Sequence, residues 1–320
     1  MFITQRSGIF IFLGLILVAI TLGAQQADRQ EPQTTPAPTS QPAAPTANSQ
    51  PVDPPTTDAR EIVRRSVEAD HKSWELVRSY TCRQREVEKQ IGKHGEIKST
   101  AIKTYDVNFY YGREYSRLIE KDDQPLNEAD QKKEDEKLEK FLAKLRDQSE
   151  EEREKRAAKE KKEHDEERAF LRDMVNAYDF TLLGEENIGG AETYVIQAIP
   201  RKDFHPTQPH ADILSKIKGK IWIEKKEYNW VKVEAESIDT ISFGFFLARI
   251  HKGARLNFEQ VHLNDEVWLV RRFFISGGAR LALVKNEAIE QEDTFSNYKK
   301  FVTTSRILPG AKEVPAEQPK

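Results

Sequence analysis

The spacing of apolar residues changes from helical to alternating near residue 80. Between Asp58 and Ser79 a rough apolar stripe at helical spacing predicts an α-helix. Its members are Ile62, Val63, Val67, Trp74, Leu76 and Val77. Asp58 is placed to cap this helix, with Glu61 three residues later as in a capping box. Beyond this helix, alternation of apolar and polar positions predicts strands with one buried face.

The strand pattern is clearest over Ile97–Tyr111, where one parity is mostly apolar and the other polar. Turn signals at Asn187–Gly190, Asn264–Asp265 and Gly277–Gly278 separate further strands. The pattern predicts an α+β fold in which an N-terminal helix covers about ten antiparallel strands.

A highly charged segment, Asp130–Arg168, interrupts the strands. It holds 15 acidic and 13 basic residues among 39, without Gly or Pro. Its one short apolar stripe consists of Leu138, Phe141, Leu142 and Leu145. We expect a long solvated helix or helical hairpin. Two interpretations stay open, a charged excursion without a specific role or an arm that docks a partner. Its net charge of −2 argues against nucleic acid.

The first 57 residues resemble an export signal and a tether. Arg6 precedes the apolar run Ile9–Leu22, which predicts a secretory signal over residues 1–24 or an uncleaved anchor. Residues 25–57 hold eight of the 15 prolines and predict a disordered tether. The folded domain is expected over residues 58–307, followed by a disordered tail over residues 308–320. These segments predict a periplasmic or cell-envelope location.

Composition excludes several classes of function. The net charge of −3 gives no global basic footprint for nucleic acid. A single cysteine, Cys82, excludes an intramolecular disulfide and a cysteine-based metal cage. Cys82 is either a reactive thiol or, as is commoner, a small buried hydrophobic residue.

No catalytic motif of the G-x-S-x-G, P-loop or H-E-x-x-H type is present. One loop gathers Asp203, His205, His210 and Asp212, but the spacing matches no known metal site and its prolines suggest a surface loop. We therefore predict no catalytic residue, no metal and no cofactor. An enzyme would require this loop to fold into a site.

After the export signal, Ile241–Ile250 is the most hydrophobic segment. It either fills the core or forms a lid over an apolar cavity. Under the second interpretation the candidate ligand-binding residues are Trp222, Trp230, Phe243, Phe245, Phe246, Leu247 and Ile250.

Two hairpins carry a family resemblance. In "GKIWIEKKEYNWVKVEAE", Ile221–Glu224 and Lys232–Glu234 resemble a strand pair of the bacterial outer-membrane lipoprotein-sorting carriers, the LolA-like family. The preceding "LLGEENIGGAETYVIQAIP" is similar to the hairpin before it in that family. The resemblance implies an incomplete, strongly curved antiparallel β-barrel with helices plugging its open side.

The resemblance also implies a function. Some members of the family carry lipoprotein acyl chains across the periplasm, and others sense envelope stress. The expected function is a non-enzymatic envelope protein that binds lipid or lipoprotein acyl chains in the concave face. The alternative is an envelope sensor or interaction scaffold that uses residues 130–168 to dock an envelope protein.

Overall fold

The computed structural model describes residues 57–243, 248–281 and 285–300. The predicted signal, nearly all of the tether and the tail lie outside these ranges. Three α-helices and one 3₁₀ helix are present in the described part. Their bounds are α1 Ala59–Val77, α2 Glu128–Arg146, α3 Glu150–Ala177 and the 3₁₀ helix Ala211–Lys216.

The described strands form one antiparallel sheet of thirteen, against about ten predicted. They are β1 Tyr80–Ile91, β2 Ile97–Tyr110, β3 Arg113–Lys121, β4 Gln124–Pro125, β5 Tyr178–Ile188, β6 Ala191–Pro200, β7 Ile217–Glu224, β8 Trp230–Ser237, β9 Ile241–Phe243, β10 Ala248–Ile250, β11 Arg255–Leu263, β12 Val267–Leu281 and β13 Lys285–Lys300. The order is β4-β3-β2-β1-β13-β12-β11-β8-β7-β6-β5, and β10 pairs with β12 and β9.

The order ends at β4 and at β5, so the described sheet is open. The α+β class predicted from the sequence, an incomplete barrel with an N-terminal helix and a charged helical insertion, is confirmed.

Cross-strand register places large apolar side chains on one face of the sheet. Phe258 lies opposite Val233 on one side and Phe273 on the other. Helix α1 packs against this face through Ile62 and Val63, which are fully buried. We call the helix-covered side the inner face. Burial of these side chains away from water is the main force that holds the helices to the sheet.

The outer face carries cross-strand pairs of opposite charge. Lys218 lies 3.6 Å from Glu236, and Arg272 Nε lies 2.5 Å from Glu292 Oε1. Exposed ion pairs of this kind contribute less than about 1 kcal/mol each. They keep much of the outer face solvated, while the inner face forms the main core.

The charged insertion is a helical hairpin with two different parts. Ser149 begins α3 with a capping box to Glu152. The following turns are exposed and carry ion pairs four residues apart, such as Glu151–Lys155 at 2.9 Å. The last turns are different, because Phe170 and Met174 are buried in the core. The helix therefore continues to Ala177, nine residues beyond the predicted end of the insertion.

Two of the three predicted turns are confirmed and one is wrong. Positive φ angles mark the turns at Gly189–Gly190 and at Asn264–Asp265. The turn predicted at Gly277–Gly278 does not exist, because β12 runs straight through it. A Cβ atom on Gly277 would lie 2.6 Å from the Cβ of Ala254. The glycine there permits close approach of two backbones.

Candidate functional site

An apolar cleft lies on the inner face beneath the end of α3. Phe170 and Met174 of α3 form one wall, and Ala198, Val233 and Ala235 of the sheet form another. With its open mouth the cleft has a volume of about 500 Å³. A water-sized sphere fits into only about 30 Å³ of that space, room for roughly two water molecules. The end of α3 therefore fills most of the space it covers.

A second apolar cleft adjoins the first. It shares Ile217 and Ala235 with it and continues past Ile241, Ile250 and Leu256. Its volume is about 390 Å³ with the mouth, and a water-sized sphere fits into about 40 Å³ of it. We call the two clefts together the inner groove. The inner groove is an apolar strip across β7, β8 and β11, and each of its two clefts has an open mouth.

The end of α3 is fixed over the inner groove by polar contacts. The Asp173 carboxylate accepts bonds from the backbone N–H groups of Thr207 and Gln208, at 2.8 and 3.0 Å, and from the Thr207 hydroxyl at 2.6 Å. Arg60 of α1 donates to the Val175 carbonyl at 2.5 Å. Because Asp173 is buried and accepts three bonds, it positions α3 rather than taking part in chemistry.

The two candidate tryptophans lie on opposite faces. Trp230 lines the inner groove, and its Nε1 donates to Ser66 Oγ at 2.9 Å. Trp222 lies on the outer face, where Lys232 Nζ is 4.4 Å from its ring centroid. A register shift between Trp222 and Ile223 accompanies this arrangement. The structure thus brings Trp230 and Ile250 to the groove and places Trp222 away from it.

Trp222 belongs to a small apolar cluster of its own. Val231 and Trp268 pack with it. Trp222 Nε1 donates to Glu186 at 2.7 Å, and Trp268 Nε1 donates to Glu227 at 3.1 Å. With both indole N–H groups bonded and both rings buried, this cluster is a structural element of the outer face.

The predicted lid is only partly within the described chain. Phe245, Phe246 and Leu247 lie outside the described residues, and of Phe243 only the backbone, paired with Ala248, is described. The flanking residues Ile241 and Ile250 line the second cleft. The lid therefore stays a prediction.

A polar patch that the sequence analysis missed lies on the inner face beside the apolar core. Glu86 and Asp293 are paired across β1 and β13, and both are buried. Gln84 and Gln291 donate to the two Asp293 oxygens at 3.1 and 2.8 Å. Burial raises the pKa of Asp293 to about 7. The sequence contains a signal for the burial of this patch. Gln84 and Glu86 lie at alternate positions of β1 after the apolar Cys82, and so on the same face of the strand.

The remaining candidates for chemistry are Cys82 and the proline-broken loop. Cys82 is buried, and burial, assisted by Glu114 and Asp106, raises the pKa of its thiol. Such a thiol is a poor nucleophile. In the proline-broken loop, Asp203 pairs with Arg201 at 2.8 Å. Within the described residues, no three His, Cys, Asp or Glu side chains are grouped to hold a metal ion.

No helix in residues 57–243, 248–281 or 285–300 has both the length and the apolar character needed to cross a bilayer.

Comparison with known proteins gives only structural matches. No family model and no curated protein matches the sequence. A DUF1329 family protein from Desulfovibrio piger aligns at 14% identity and TM-score 0.29, over 78% of this chain and 96% of that one. A putative outer membrane lipoprotein-sorting protein domain from Vibrio parahaemolyticus aligns at 12% identity and TM-score 0.31, over 76% of this chain and 95% of that one. A LolA superfamily protein from Nitrosomonas europaea aligns at 11% identity and TM-score 0.25, over 77% of this chain and 95% of that one. The last two names belong to the family that the hairpin motifs resemble.

Proposed function

We propose that this chain is a non-enzymatic envelope protein that holds an acyl chain of a lipid or lipoprotein in the inner groove. The observation that carries the proposal is the pair of adjoining apolar clefts on the inner face of an open sheet. The walls contributed by Met174, Ile217 and Leu256 offer no charge to a ligand. An acyl chain matches that chemistry because each buried methylene contributes about 0.8 kcal/mol.

The size of the inner groove sets how the chain enters. With their mouths, the clefts fall within the range of about 300–1,000 Å³ that is usual for ligand sites. The space that already admits a water-sized sphere is far smaller, so an acyl chain lies along the mouth and displaces the side chains of α3 as it enters.

The apolar run Ile9–Leu22 and the proline-rich segment support an envelope location in this proposal. Such a signal directs the domain out of the cytoplasm. Protein in the envelope fraction should begin near Gln25.

The test is to block the inner groove where its two clefts adjoin. Ala235→Phe places a ring at this junction, whereas Glu234→Phe places the same ring on the outer face of the same strand. We expect wild type and Glu234→Phe to bind a fluorescent fatty acid saturably, and Ala235→Phe to bind at least tenfold more weakly. Circular dichroism checks that both variants are folded. Equal binding by all three proteins, or no saturable binding by wild type, would contradict the proposal.

A second candidate function is an interaction scaffold that uses the charged hairpin. The exposed first turns of α3 and the small free space in the two clefts favour it. The charges on these turns of α3 are largely paired within the helix, as in Lys161–Asp165 at 3.5 Å and Lys162–Glu166 at 3.7 Å. This pairing weakens recognition of a partner by charge. Mass spectrometry of lipids extracted from natively purified protein separates the two candidates, since a scaffold yields none.

A further inference from the structure

The inner groove follows one row of directly paired residues across the sheet. The row crosses β6, β7, β8, β11, β12 and β13 and then reaches β1. Its members, each the register partner of the next, are Ala198, Gly219, Ala235, Leu256, Ile275, Gln291 and Glu88. The residues of the row on β6 to β12 line the two clefts. At about 4.8 Å between neighbouring strands, this part of the row spans about 19 Å.

The chemical character of the row changes where the second cleft ends. The last groove residue on β12 has Gln291 as its partner on β13, and Glu88 follows on β1. The neighbouring row changes at the same place, because the apolar Phe273 is followed by Asp293 and Glu86. We call these four polar residues the polar end of the groove. The apolar strip therefore leads directly into a polar end on the same face of the sheet.

The cations that follow the polar end on β2 and β3 are already paired. Lys103 Nζ lies 3.2 Å from Glu86 Oε1, and Lys121 Nζ lies 2.9 Å from Asp130 Oδ2. Within the described part of the chain, the half-buried Glu88 side chain makes no hydrogen bond or ion pair. Glu88 therefore offers an uncompensated carboxylate at this end of the groove.

The groups around Glu88 also favour a hydrogen-bond donor. Gln291 donates its amide N–H to Asp293 at 2.8 Å, so the amide oxygen of Gln291 remains as an acceptor. Burial raises the pKa of the Tyr105 phenol on β2, and the carboxylates of Glu86, Asp293 and Glu88 raise it further. A group that enters the polar end thus meets acceptors and negative charge.

Cations elsewhere along the groove are not placed to receive an anionic head group. Lys218, Lys220 and Arg255 border the clefts, but they alternate with inner-face residues and so lie on the outer face. At the opposite end of the row, Arg60 lies over the ring of Phe180. Its guanidinium group donates to two backbone carbonyl groups at 2.5 and 3.0 Å.

We infer that the inner groove selects an amphiphile whose alkyl or acyl chain carries a cationic, N–H-donating head group, and that Glu88 and Gln291 receive this head. The inference rests on the proposed function, because the chain of the same ligand occupies the apolar strip. Hydrogen bonds from an ammonium group to a carboxylate are stronger than those from a neutral hydroxyl. A carboxylate head would be repelled by Glu88.

The experiment compares three head groups on one chain length. Dodecylamine, dodecanol and dodecanoate each compete at pH 8 with a pyrene-labelled dodecanol bound to the full chain, and fluorescence gives their affinities. Glu88→Gln removes the charge at the polar end with little change in size. Glu236→Gln is the matched control, since Glu236 borders the second cleft but lies on the outer face, 3.6 Å from Lys218. Glu88→Lys reverses the charge, and circular dichroism checks that each variant is folded.

We expect wild type and Glu236→Gln to bind dodecylamine at least roughly tenfold more tightly than dodecanoate. Glu88→Gln should reduce this preference to within about threefold, and Glu88→Lys should favour dodecanoate. The affinity for dodecanol, which has a neutral head, should stay within about threefold in every variant.

Equal binding of dodecylamine and dodecanoate by wild type, a preference of wild type for dodecanoate, or equal effects of Glu88→Gln and Glu236→Gln would overturn the inference. Each of these results would leave binding of the chain itself intact. If the pyrene-labelled dodecanol does not bind wild type saturably, the proposed function fails and the head-group inference fails with it.

Discussion

Trp230 and Ser66, 164 residues apart, are joined by a buried hydrogen bond in which the indole Nε1 donates to the hydroxyl at 2.9 Å. The same hydroxyl donates to the Val63 carbonyl at 2.7 Å, so Ser66 is bonded as both acceptor and donor. This contact fixes the rotation of α1 relative to β8 and orients the tryptophan that lines the inner groove.

Ser66→Ala should destabilise the protein by about 1–3 kcal/mol, because it leaves the buried indole N–H without an acceptor. Ser79→Ala is the matched control, since the Ser79 hydroxyl also bonds a carbonyl three residues earlier but lies in an exposed contact. Urea unfolding measures both. Equal effects of the two substitutions would show that the indole bond adds nothing to stability.

Phe170→Ala should lower the free energy of unfolding by about 3–5 kcal/mol, as expected for a large side chain removed from a core. Phe170 is 5% exposed and lies in the principal apolar cluster. Lys161→Ala, in the exposed part of the same helix, should change it by no more than about 0.5 kcal/mol. Similar losses at both sites would mean that the charged turns of α3 also pack against the domain.

Asp293 should make stability fall as pH rises from about 4 to about 8. Its folded-state pKa of about 7 lies above the ordinary value of 3.8, so the folded protein binds this proton more tightly than the unfolded chain does. The stabilisation is complete below the unfolded pKa and is lost as pH rises through the folded pKa. Asp293→Asn should flatten this dependence in urea titrations at several pH values, whereas the exposed Asp165→Asn should not. Parallel curves for all three proteins would contradict the assignment.

Cys82 should be inert in the folded protein. Its burial and raised pKa leave little thiolate at pH 8. Ellman's reagent should therefore label no thiol in native protein and one per chain in guanidinium chloride. Rapid labelling without denaturant would show that this part of β1 opens readily.

The parts of the fold that could be predicted are those set by local residue chemistry. Helix α1 begins one residue after Asp58, the residue predicted to cap it. The Asp58 side chain accepts from the Arg60 N–H at 2.9 Å. The turns at Gly189–Gly190 and Asn264–Asp265 likewise depend on residues that tolerate positive φ. The missed feature, the absence of a turn at Gly277–Gly278, depends on Ala254, which is distant along the chain.

In the candidate site too, features set by nearby residues could be predicted and features set by distant strand pairing could not. Trp230 and Ile250 could be assigned to an apolar site because aromatic and apolar residues lie near them in the sequence, and both line the inner groove. Trp222 alternates with Ile221 and Ile223, which belong to the core, so alternation alone places it on the outer face. The face of Trp230 depends on a register shift in the hairpin, and alternation alone does not locate such shifts. Asp293 and Glu86 could not be predicted as a buried pair, because neither strand's own sequence indicates that β1 pairs with β13.

That last pairing has a consequence for folding. Strands β1 to β4 join the rest of the described sheet through the contact of β1 with β13, in which Tyr80 lies opposite Lys300. Until residues near 300 are available, this N-terminal meander has no place to attach. Contacts between such distant residues close slowly, since the entropy of a long loop must be overcome first. Assembly of the domain should therefore wait for the end of its synthesis, and a chain that stops before β13 would leave two unattached pieces of sheet.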